Sequence, residues 1–331
     1  MILIGKGEFL KILWILLIGI FSYASEYDYI KIYRDGGIEA LEKEIDKVLE
    51  SKVYWDAILE SMDTQYGYYE NLEYLFVASK KTKSLQLFMI KNHKLEEKLN
   101  APALIGSKLG HKQKEGDRAT PIGVYELDSR LVNLDQYYGP LALTTSYPNL
   151  LDKLHERTGY GIWIHGMPLN GNREEQNTRG CIAIENNLLK QVDKMVDHKK
   201  ALLITYENKV VETKKNDLAI LLSDLFLWKK AWRDSDVEAY LGFYDENEFL
   251  RFDKTGFEDF KKNKTRIFSK NEEKMIKFSN INISPYPNDA NKNMFKISFY
   301  EEYRAPSYTF NGEKELFVEL KNGKMQIIAE K

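Results

Sequence analysis

The chain has 331 residues, enough for two modest domains, and its 48 basic and 50 acidic side chains nearly balance. Such a balance excludes the strongly basic surface that binds polyanions, so nucleic acid is not an expected partner. Aromatic residues make up 13% of the chain, which is typical of a well-packed globular protein and suits a surface that faces carbohydrate or peptide.

The first residues predict export. Lys6 and Lys11 precede the apolar run 12–21, which is too short for a comfortable membrane span. Ser22 and Ala24 then supply small residues at the −3 and −1 positions of a signal-peptidase site. We expect a signal peptide over residues 1–24, cleaved after Ala24, and a periplasmic protein. The alternative is an uncleaved N-terminal anchor, which also leaves the body outside the cytoplasm.

A helical arm is predicted next, over residues 25–70. Apolar residues recur at spacings of three and four with charges between them, at Ile38, Leu41, Ile45 and Val48. A second amphipathic piece follows over residues 53–62, and the helical character extends to about residue 69. The arm is too short to have its own core, so we expect it to pack on the next domain or on a second copy of the chain. A homodimer through this arm is therefore a hypothesis.

Residues 71–208 are predicted to form a β-rich domain. Short apolar strands are separated by turn residues at 74–78, 84–90, 103–106, 123–127, 142–144, 161–165 and 181–184. The polar turn 80–83 predicts a hairpin between the first two strands. A helix over 186–198 and a closing strand over 201–206 complete a sandwich or barrel.

The remaining residues, 209–331, change in character. Asn216 or Asp217 caps a predicted helix that carries Trp228 and Trp232, and two shorter helices follow over 237–244 and 257–268. The end is stranded, over 276–283, 294–303, 315–320 and 325–329. Asn322-Gly323 predicts a tight hairpin turn between the last two strands. Helices followed by an antiparallel sheet indicate an α+β domain.

Chemistry is concentrated at two points of the β-rich domain. Cys181 is the only cysteine, and it follows Gly180 and opens an apolar run. His165 ends another apolar run and is followed by Gly166. A histidine is the usual base that makes a thiol nucleophilic, and glycine lets backbone N–H groups approach a reacting carbonyl. The alternative is a buried structural cysteine, although an exported free thiol without a partner is unusual.

These stretches resemble the catalytic motif of the L,D-transpeptidases, the YkuD-type cysteine enzymes of peptidoglycan. Their pattern is a His-Gly pair, a turn-rich segment, and Ser/Thr-(His/Arg)-Gly-Cys-(Ile/Val), here His165-Gly166 and Thr178-Arg179-Gly180-Cys181-Ile182. The stretch 116–125 looks like the family's Thr-Pro-x-Gly-x-Phe/Tyr segment. One position departs from the pattern: many members carry Arg two residues after the cysteine, where this chain has Ala183. Arg179 is the candidate replacement for substrate carboxylate recognition.

The resemblance implies the roles of the site residues. Cys181 is the nucleophile, His165 its base, and the carbonyl of Gly166 orients the imidazole without a carboxylate partner. Backbone N–H groups near Arg179, Gly180 and Cys181 would stabilise the oxyanion. Weaker candidates for substrate binding share a place in the matched motifs or near the expected cleft: Trp163, Arg118, Tyr138, Tyr137, Tyr160, Arg157 and Arg173. For each of these, ordinary packing or surface exposure is the alternative.

No metal and no cofactor are expected. His111, His155 and His198 lack the spacing of a zinc site such as His-Glu-x-x-His. The substrate implied by the resemblance is the stem peptide of peptidoglycan, at the bond between the L-centre of diaminopimelate and a terminal D-alanine.

The C-terminal residues resemble a second family. The pattern Trp-x-x-Ala-Trp-x-x-x-Asp over residues 228–236, with aromatic residues over 240–244, looks like the NTF2-like cone fold. Such a cone encloses a pocket, so a glycan or peptide ligand is an expectation; the alternative is a spacer that only packs on the catalytic domain. The predicted fold is thus α+β, with a helical N-terminal arm, a β-rich YkuD-type catalytic domain and an NTF2-like cone.

This layout resembles the cell-shape-determining L,D-carboxypeptidases of curved and helical Gram-negative bacteria. Hydrolysis, which trims a tetrapeptide to a tripeptide, is therefore the favoured reaction. A transpeptidase that forms 3–3 cross-links or attaches proteins is the first alternative. A non-catalytic wall-binding protein is the second, and a thiol protease acting on proteins is disfavoured by the motif.

Overall fold

The computed structural model describes residues 6–170, 176–208 and 211–331, with side chains from residue 28 onward in those ranges. Arg173, a candidate for substrate binding, lies outside them. The described residues form seven α-helices: α1 (Lys6–Leu49), α2 (Lys52–Glu60), α3 (Leu150–Leu154), α4 (Asn186–Met195), α5 (Lys215–Arg233), α6 (Val237–Leu241) and α7 (Phe257–Phe268). Among these residues, no helix combines the length and apolar character needed to cross a membrane.

The strands form two sheets. Eight strands belong to the first sheet, in the order β4-β3-β2-β9-β5-β6-β7-β8: β2 (Tyr74–Ser79), β3 (Ser84–Lys91), β4 (Lys94–Pro102), β5 (Gly123–Val132), β6 (Leu141–Thr145), β7 (Trp163–His165), β8 (Ile182–Ala183) and β9 (Ala201–Tyr206). Six belong to the second, in the order β1-β11-β12-β13-β14-β10: β1 (Tyr68–Tyr69), β10 (Leu250–Arg251), β11 (Met275–Pro285), β12 (Met294–Ala305), β13 (Tyr308–Lys321) and β14 (Lys324–Glu330).

The helical arm ends earlier than the sequence predicts. Helix α2 stops at Glu60, and Tyr68–Tyr69 form β1, which pairs antiparallel with β11. Gly67 permits this pairing: its φ is 122°, and a Cβ there would lie 2.1 Å from the carbonyl oxygen of Ile283. The expectation of helix up to residue 69 was therefore wrong, because the chain turns at Gly67 to join a sheet whose other strands lie far ahead in sequence.

Helices α1 and α2 of the arm pack on the C-terminal domain, whereas the residues after α2 contact the catalytic domain: the N–H of Asp63 donates to the His93 carbonyl at 2.9 Å, and the Tyr66 ring lies 5.1 Å from that of Phe88. The ring of Trp55 on α2 stacks on Phe226 of α5 with 5.8 Å between centroids. Asp46 of α1 is buried and accepts hydrogen bonds from Lys229, at 2.9 Å, and from Arg233. The apolar face of the arm therefore completes the core of the C-terminal domain.

The catalytic sheet follows the predicted strands, apart from end shifts of one or two residues and three larger differences. Strand β5 extends to Val132, beyond its predicted end at residue 127. Residues 103–106 make two isolated bridges, Leu104 to Ala183 and Gly106 to Thr178, in place of a strand. Strand β4 (Lys94–Pro102) was not predicted, because an exposed edge strand has little apolar alternation. The hairpin at residues 80–83 is confirmed by the pairing of β2 with β3.

The C-terminal domain has the predicted α+β form. Helix α5 begins at Lys215 after Lys214, so neither Asn216 nor Asp217 is its cap. Asn322 and Gly323 join β13 to β14 with positive φ values of 51° and 73°, as a tight hairpin turn requires. Bulges in the pairing of β11 with β12 and of β13 with β14 curve the sheet around its helices.

One face of each sheet meets in a shared apolar core. Leu75, Val77 and Leu202 of the catalytic sheet belong to the same buried cluster as Phe317 and Ile328 of the C-terminal sheet. The ammonium of Lys296 is buried at this interface and pairs with Glu126 of the catalytic domain and, at 2.6 Å, with Glu315. The two domains are thus joined by a packed interface rather than by a flexible linker alone.

Candidate active site

Neighbouring strands bring the candidate nucleophile and base into one cleft. β7 and β8 pair in parallel, with Ile164 beside Ile182 and His165 beside Ala183. His165 ends β7 and Cys181 immediately precedes β8, and both line a cleft of about 1140 Å³. His165 is only 1% exposed, whereas Cys181 is partly accessible. The arrangement places a thiol that a substrate can reach beside a shielded imidazole.

The carbonyl of Gly166 orients the His165 ring. Nδ1 of His165 lies 2.7 Å from this oxygen, so the proton on Nδ1 is donated to it and Nε2 is left as the basic nitrogen. The turn is held on both sides: the N–H of Gly166 donates to the Tyr138 carbonyl at 3.0 Å, and the N–H of Met167 donates to Oδ1 of Asn186 at 2.8 Å. Asn186 opens helix α4, and no pattern in the sequence connects it with this turn.

The Cys181 thiol touches a backbone carbonyl. Sγ donates to the oxygen of Gly161 at 3.3 Å. A carbonyl oxygen in this place accepts the proton of the thiol and repels the negative charge of a thiolate. The position of Gly161 therefore affects how readily Cys181 ionises.

Thr178 organises the backbone around Cys181. Its hydroxyl accepts the N–H of Gly180 at 3.1 Å and donates to the carbonyl of Cys181 at 2.6 Å. The expectation that the Gly180 N–H stabilises an oxyanion is thus corrected, since this N–H is occupied within its own turn. Gly180 serves the turn through its conformation: its φ is 132°, and a Cβ would lie 2.9 Å from the carbonyl oxygen of Ala119. The N–H groups of Arg179 and Cys181 are left as candidate donors.

Two family models match the chain. Residues 73–211 match the L,D-transpeptidase catalytic domain, and residues 220–331 match the Cds6 C-terminal NTF2-like domain. Among solved structures, the helical cell shape determining protein Pgp2 from Campylobacter jejuni is 45% identical, with a TM-score of 0.80, 85% of this chain and 99% of that chain covered. A point mutant of Pgp2 is 44% identical, with a TM-score of 0.82 and coverage of 86% and 99%.

The chain belongs to the YkuD L,D-transpeptidase family with a C-terminal NTF2-like domain. Bd1075 from Bdellovibrio bacteriovorus is also similar, at 25% identity and a TM-score of 0.62, with 81% of this chain and 95% of that chain covered. A comparison with curated proteins found no match. The resemblance and the fold class predicted from the sequence are both confirmed.

Aromatic residues of the L,D-transpeptidase domain surround the candidate base, His165. The Tyr138 ring meets His165 edge-on at 5.2 Å and lies 5.0 Å from Trp163. Burial and the nearby charge of Cys181 raise the pKa of Tyr138, so its hydroxyl stays neutral at pH 7. Trp163 supports Tyr138 from β7, while Tyr137 and Tyr160 line the cleft directly.

Of the arginines considered for substrate binding, Arg179 lines the cleft and Arg118 does not. Arg179 is exposed and lines the L,D-transpeptidase cleft. Arg118 sits on an exposed turn with a φ of 61°, and among the described residues it is not part of the lining. Ala183, where many members carry arginine, is fully buried beside His165 and Leu104.

No sequence pattern marks the charged residues of one wall of the cleft. Lys112 is buried, lines the cleft and donates to Oδ1 of Asp117 at 2.8 Å. Burial alone would raise the pKa of Asp117, but Lys112 and the backbone N–H groups of Ala119, Gln113 and Lys114 hold that pKa well below its usual range. Asp117 is therefore ionised, and its hydrogen bonds hold this wall in place. The residues sit in the matched upstream segment or just before it, but lysine and aspartate in a turn give no specific signal.

Proposed function

We propose that the protein is a periplasmic peptidoglycan L,D-carboxypeptidase that removes the terminal D-alanine from stem tetrapeptides through a thioester on Cys181. The observation that carries the proposal is the His165 ring, fixed by the Gly166 carbonyl in the cleft that also holds Cys181. An imidazole with its Nδ1 proton engaged and its Nε2 basic is the form that a thiol nucleophile needs.

The proposed first half-reaction forms a thioester. Nε2 of His165 takes the proton of Cys181, and the sulfur attacks the carbonyl carbon between diaminopimelate and D-alanine. Backbone N–H groups of Arg179 and Cys181 stabilise the oxyanion, a contribution of about 3 kcal/mol for each donor. The carbon–nitrogen bond then breaks, and His165 returns the proton to the amine of D-alanine.

The second half-reaction uses water. His165 takes a proton from the water as its oxygen attacks the thioester, and the sulfur leaves with that proton as a thiol. The carboxylate of the tripeptide is the product. An amine in place of water would give a 3–3 cross-link or a protein attached to the wall.

Hydrolysis is preferred to cross-linking because of the likeness to Pgp2, which is described as a helical cell shape determining protein. We infer a corresponding role in shaping the wall here. A non-catalytic wall-binding protein is disfavoured, since a relict domain has no need for a shielded imidazole and a reachable thiol in one cleft.

The C-terminal domain is proposed to hold a glycan or peptide ligand. The ammonium of Lys264 lies 5.0 to 5.2 Å from the ring centroids of Trp232, Tyr240 and Phe260, and burial lowers its pKa to about 8. Glu301 and Glu330 are buried nearby, and both interact electrostatically with Lys264. Aromatic rings beside paired charges suit a polar ligand with a flat face.

A homodimer through the arm is proposed on exposed apolar residues of α1, whose backbone departs from helical geometry at Gly37. Ile30, Tyr33, Ile38 and Ile45 are between 42% and 67% exposed. A second copy could cover these side chains. A mass measured by light scattering that equals one monomer would rule this arrangement out.

The activity is tested by digesting purified muropeptides and identifying the products by mass spectrometry. Loss of one alanine from tetrapeptides by the wild type, absent with Cys181→Ala, is the expected result. New 3–3 dimers would identify a transpeptidase instead. Unchanged tetrapeptides with the wild type would contradict both enzymatic assignments.

A further inference from the structure

The C-terminal domain reaches a wall of the catalytic cleft through the carboxylate of Asp289. This residue lies in the turn between β11 and β12, and its Oδ2 accepts the backbone N–H of His111 at 3.2 Å. His111 begins residues 111–117, here called the first wall segment. Its members in the cleft lining are Lys112, Glu115 and Gly116.

A buried polar cluster joins this segment to a second stretch of the cleft wall. Nε2 of His111 lies 3.1 Å from Oδ1 of Asp152 and 2.8 Å from Nη1 of Arg157, which itself donates to the same carboxylate oxygen at 2.9 Å. Asp152 has no exposed surface. Arg157 begins residues 157–162, the second wall segment, so both segments are fixed at one point.

The two wall segments also touch each other before they reach the sulfur. The N–H of Thr158 donates to the carbonyl of Gln113 at 3.1 Å, and the Thr158 hydroxyl accepts the N–H of Glu115 at 3.2 Å. Three residues further along, Gly161 presents the carbonyl that accepts the Cys181 thiol proton. A displacement of His111 is therefore passed on, by direct contacts, to the environment of the nucleophile.

The side chains beside the hydrogen bond between Asp289 and His111 leave a cavity. A cavity of about 400 Å³ lies between the domains here, and its lining includes His111, Arg157 and Asp289. The apolar core that the two sheets share limits the movement of the two domains relative to each other. It does not fill this cavity. At this cavity the backbone of His111 is held by the Asp289 hydrogen bond, which adds to the contacts of the His111 side chain with Asp152 and Arg157.

We propose that Asp289 is a positioning residue: it acts through His111 to hold both wall segments, and so sets the cleft geometry and the contact of Gly161 with Cys181. The C-terminal domain is then part of the catalytic unit. The consequence for turnover rests on the proposed function, whereas the consequence for the thiol does not.

The first test measures the rate at which iodoacetamide alkylates Cys181 at pH 7 in the full chain. In Asp289→Ala the Gly161 carbonyl is released from the sulfur, which favours the reactive thiolate, and alkylation should be faster by on the order of threefold. An unchanged or slower rate would overturn the proposal. This result is independent of whether the protein turns over muropeptides.

The second test is kinetic, with the active thiol titrated in each preparation. For Asp289→Ala we expect kcat/KM on a tetrapeptide to fall roughly tenfold, mostly through a higher KM, because the cleft walls are displaced. A variant that is merely less stable would lose active protein but keep the kcat and KM of its folded fraction. Unchanged constants for each titrated thiol would therefore contradict a positioning role.

Two variants serve as matched controls. Asp289→Asn keeps an acceptor oxygen for the His111 N–H and should restore both readouts to near the wild-type values; failure to restore them would overturn the hydrogen-bond explanation. Asp253→Ala removes a carboxylate of the same domain that also accepts a backbone N–H, that of Thr255 at 3.1 Å. It should leave alkylation and kinetics unchanged.

Discussion

His165 is oriented by its neighbour in sequence, with 2.7 Å between its Nδ1 and the carbonyl oxygen of Gly166. A backbone acceptor has no charge, so it fixes the ring and the tautomer without the added stabilisation that a carboxylate gives to an imidazolium. The orientation of the proposed base consequently depends on the geometry of one turn. Tyr138 and Asn186, which bind the backbone N–H groups of Gly166 and Met167, maintain that geometry.

Gly166→Ala should damage this turn and with it the activity. The new Cβ would lie 2.2 Å from Oδ1 of Asn186 and 2.9 Å from Cδ of Pro140. Displacement of Asn186 takes the acceptor from the Met167 N–H, so we expect the turn to shift and the carbonyl to leave Nδ1. We expect kcat to fall on the order of a hundredfold, as for a misplaced general base. Gly256→Ala is the control, because no atom lies within 4 Å of its new Cβ; equal activity of the two variants would contradict the prediction.

Thr178→Val should separate the shape of this side chain from its hydrogen bonds. The substitution keeps the volume but removes the hydroxyl that connects the Gly180 N–H with the Cys181 carbonyl. A buried hydrogen-bonding group is left unsatisfied, and we expect a loss of about 2 kcal/mol in stability together with lower kcat/KM on tetrapeptides. Thr178→Ser retains the hydroxyl and should stay near the wild type, and equal impairment of Thr178→Ser and Thr178→Val would show that the methyl group matters instead.

Asp117 should make stability depend on pH in one direction. Its pKa is lower in the folded chain than in the unfolded chain, so its stabilising contribution is complete above the unfolded value of about 4 and is lost as the pH falls through the folded value. Urea unfolding should show a larger deficit for Asp117→Asn at pH 7 than at pH 3. Asp259→Asn, on a largely exposed side chain, is the control, and a deficit that stayed constant with pH would contradict this account.

Trp55→Ala should destabilise the C-terminal domain, although the residue lies in the arm. Trp55 is 4% exposed and stacks on Phe226, and its indole N–H donates to the Leu49 carbonyl at 2.7 Å. Truncation of a buried tryptophan costs about 3–5 kcal/mol, which should appear in denaturant unfolding followed by circular dichroism. Val53→Ala, at a residue that is 76% exposed on the same helix, should cost almost nothing; similar losses would mean that the arm is not part of that core.

The sequence predicted well those features that depend on local patterns. The motif around His165 and Cys181 identified the family, and glycine and asparagine at residues 322–323 predicted a turn that the structure confirms. The pairing of Tyr68 with Ile283 could not be predicted, because nothing near Gly67 identifies a partner so far along the chain. Asn186 was missed for the same reason. Its importance comes from where α4 begins in space, and a single asparagine at the start of a helix is common.

The pairing of β1 with β11 also bears on how the protein is made. Glu70 accepts the backbone N–H of Ile281, 211 positions later, so this pairing cannot form until the whole catalytic domain and the first strand after α7 have been synthesised. Contacts this far apart in sequence form slowly, and apolar surface that waits for them is prone to aggregation. Unfolded chains of this protein should therefore need a holding chaperone until β11 can pair with β1.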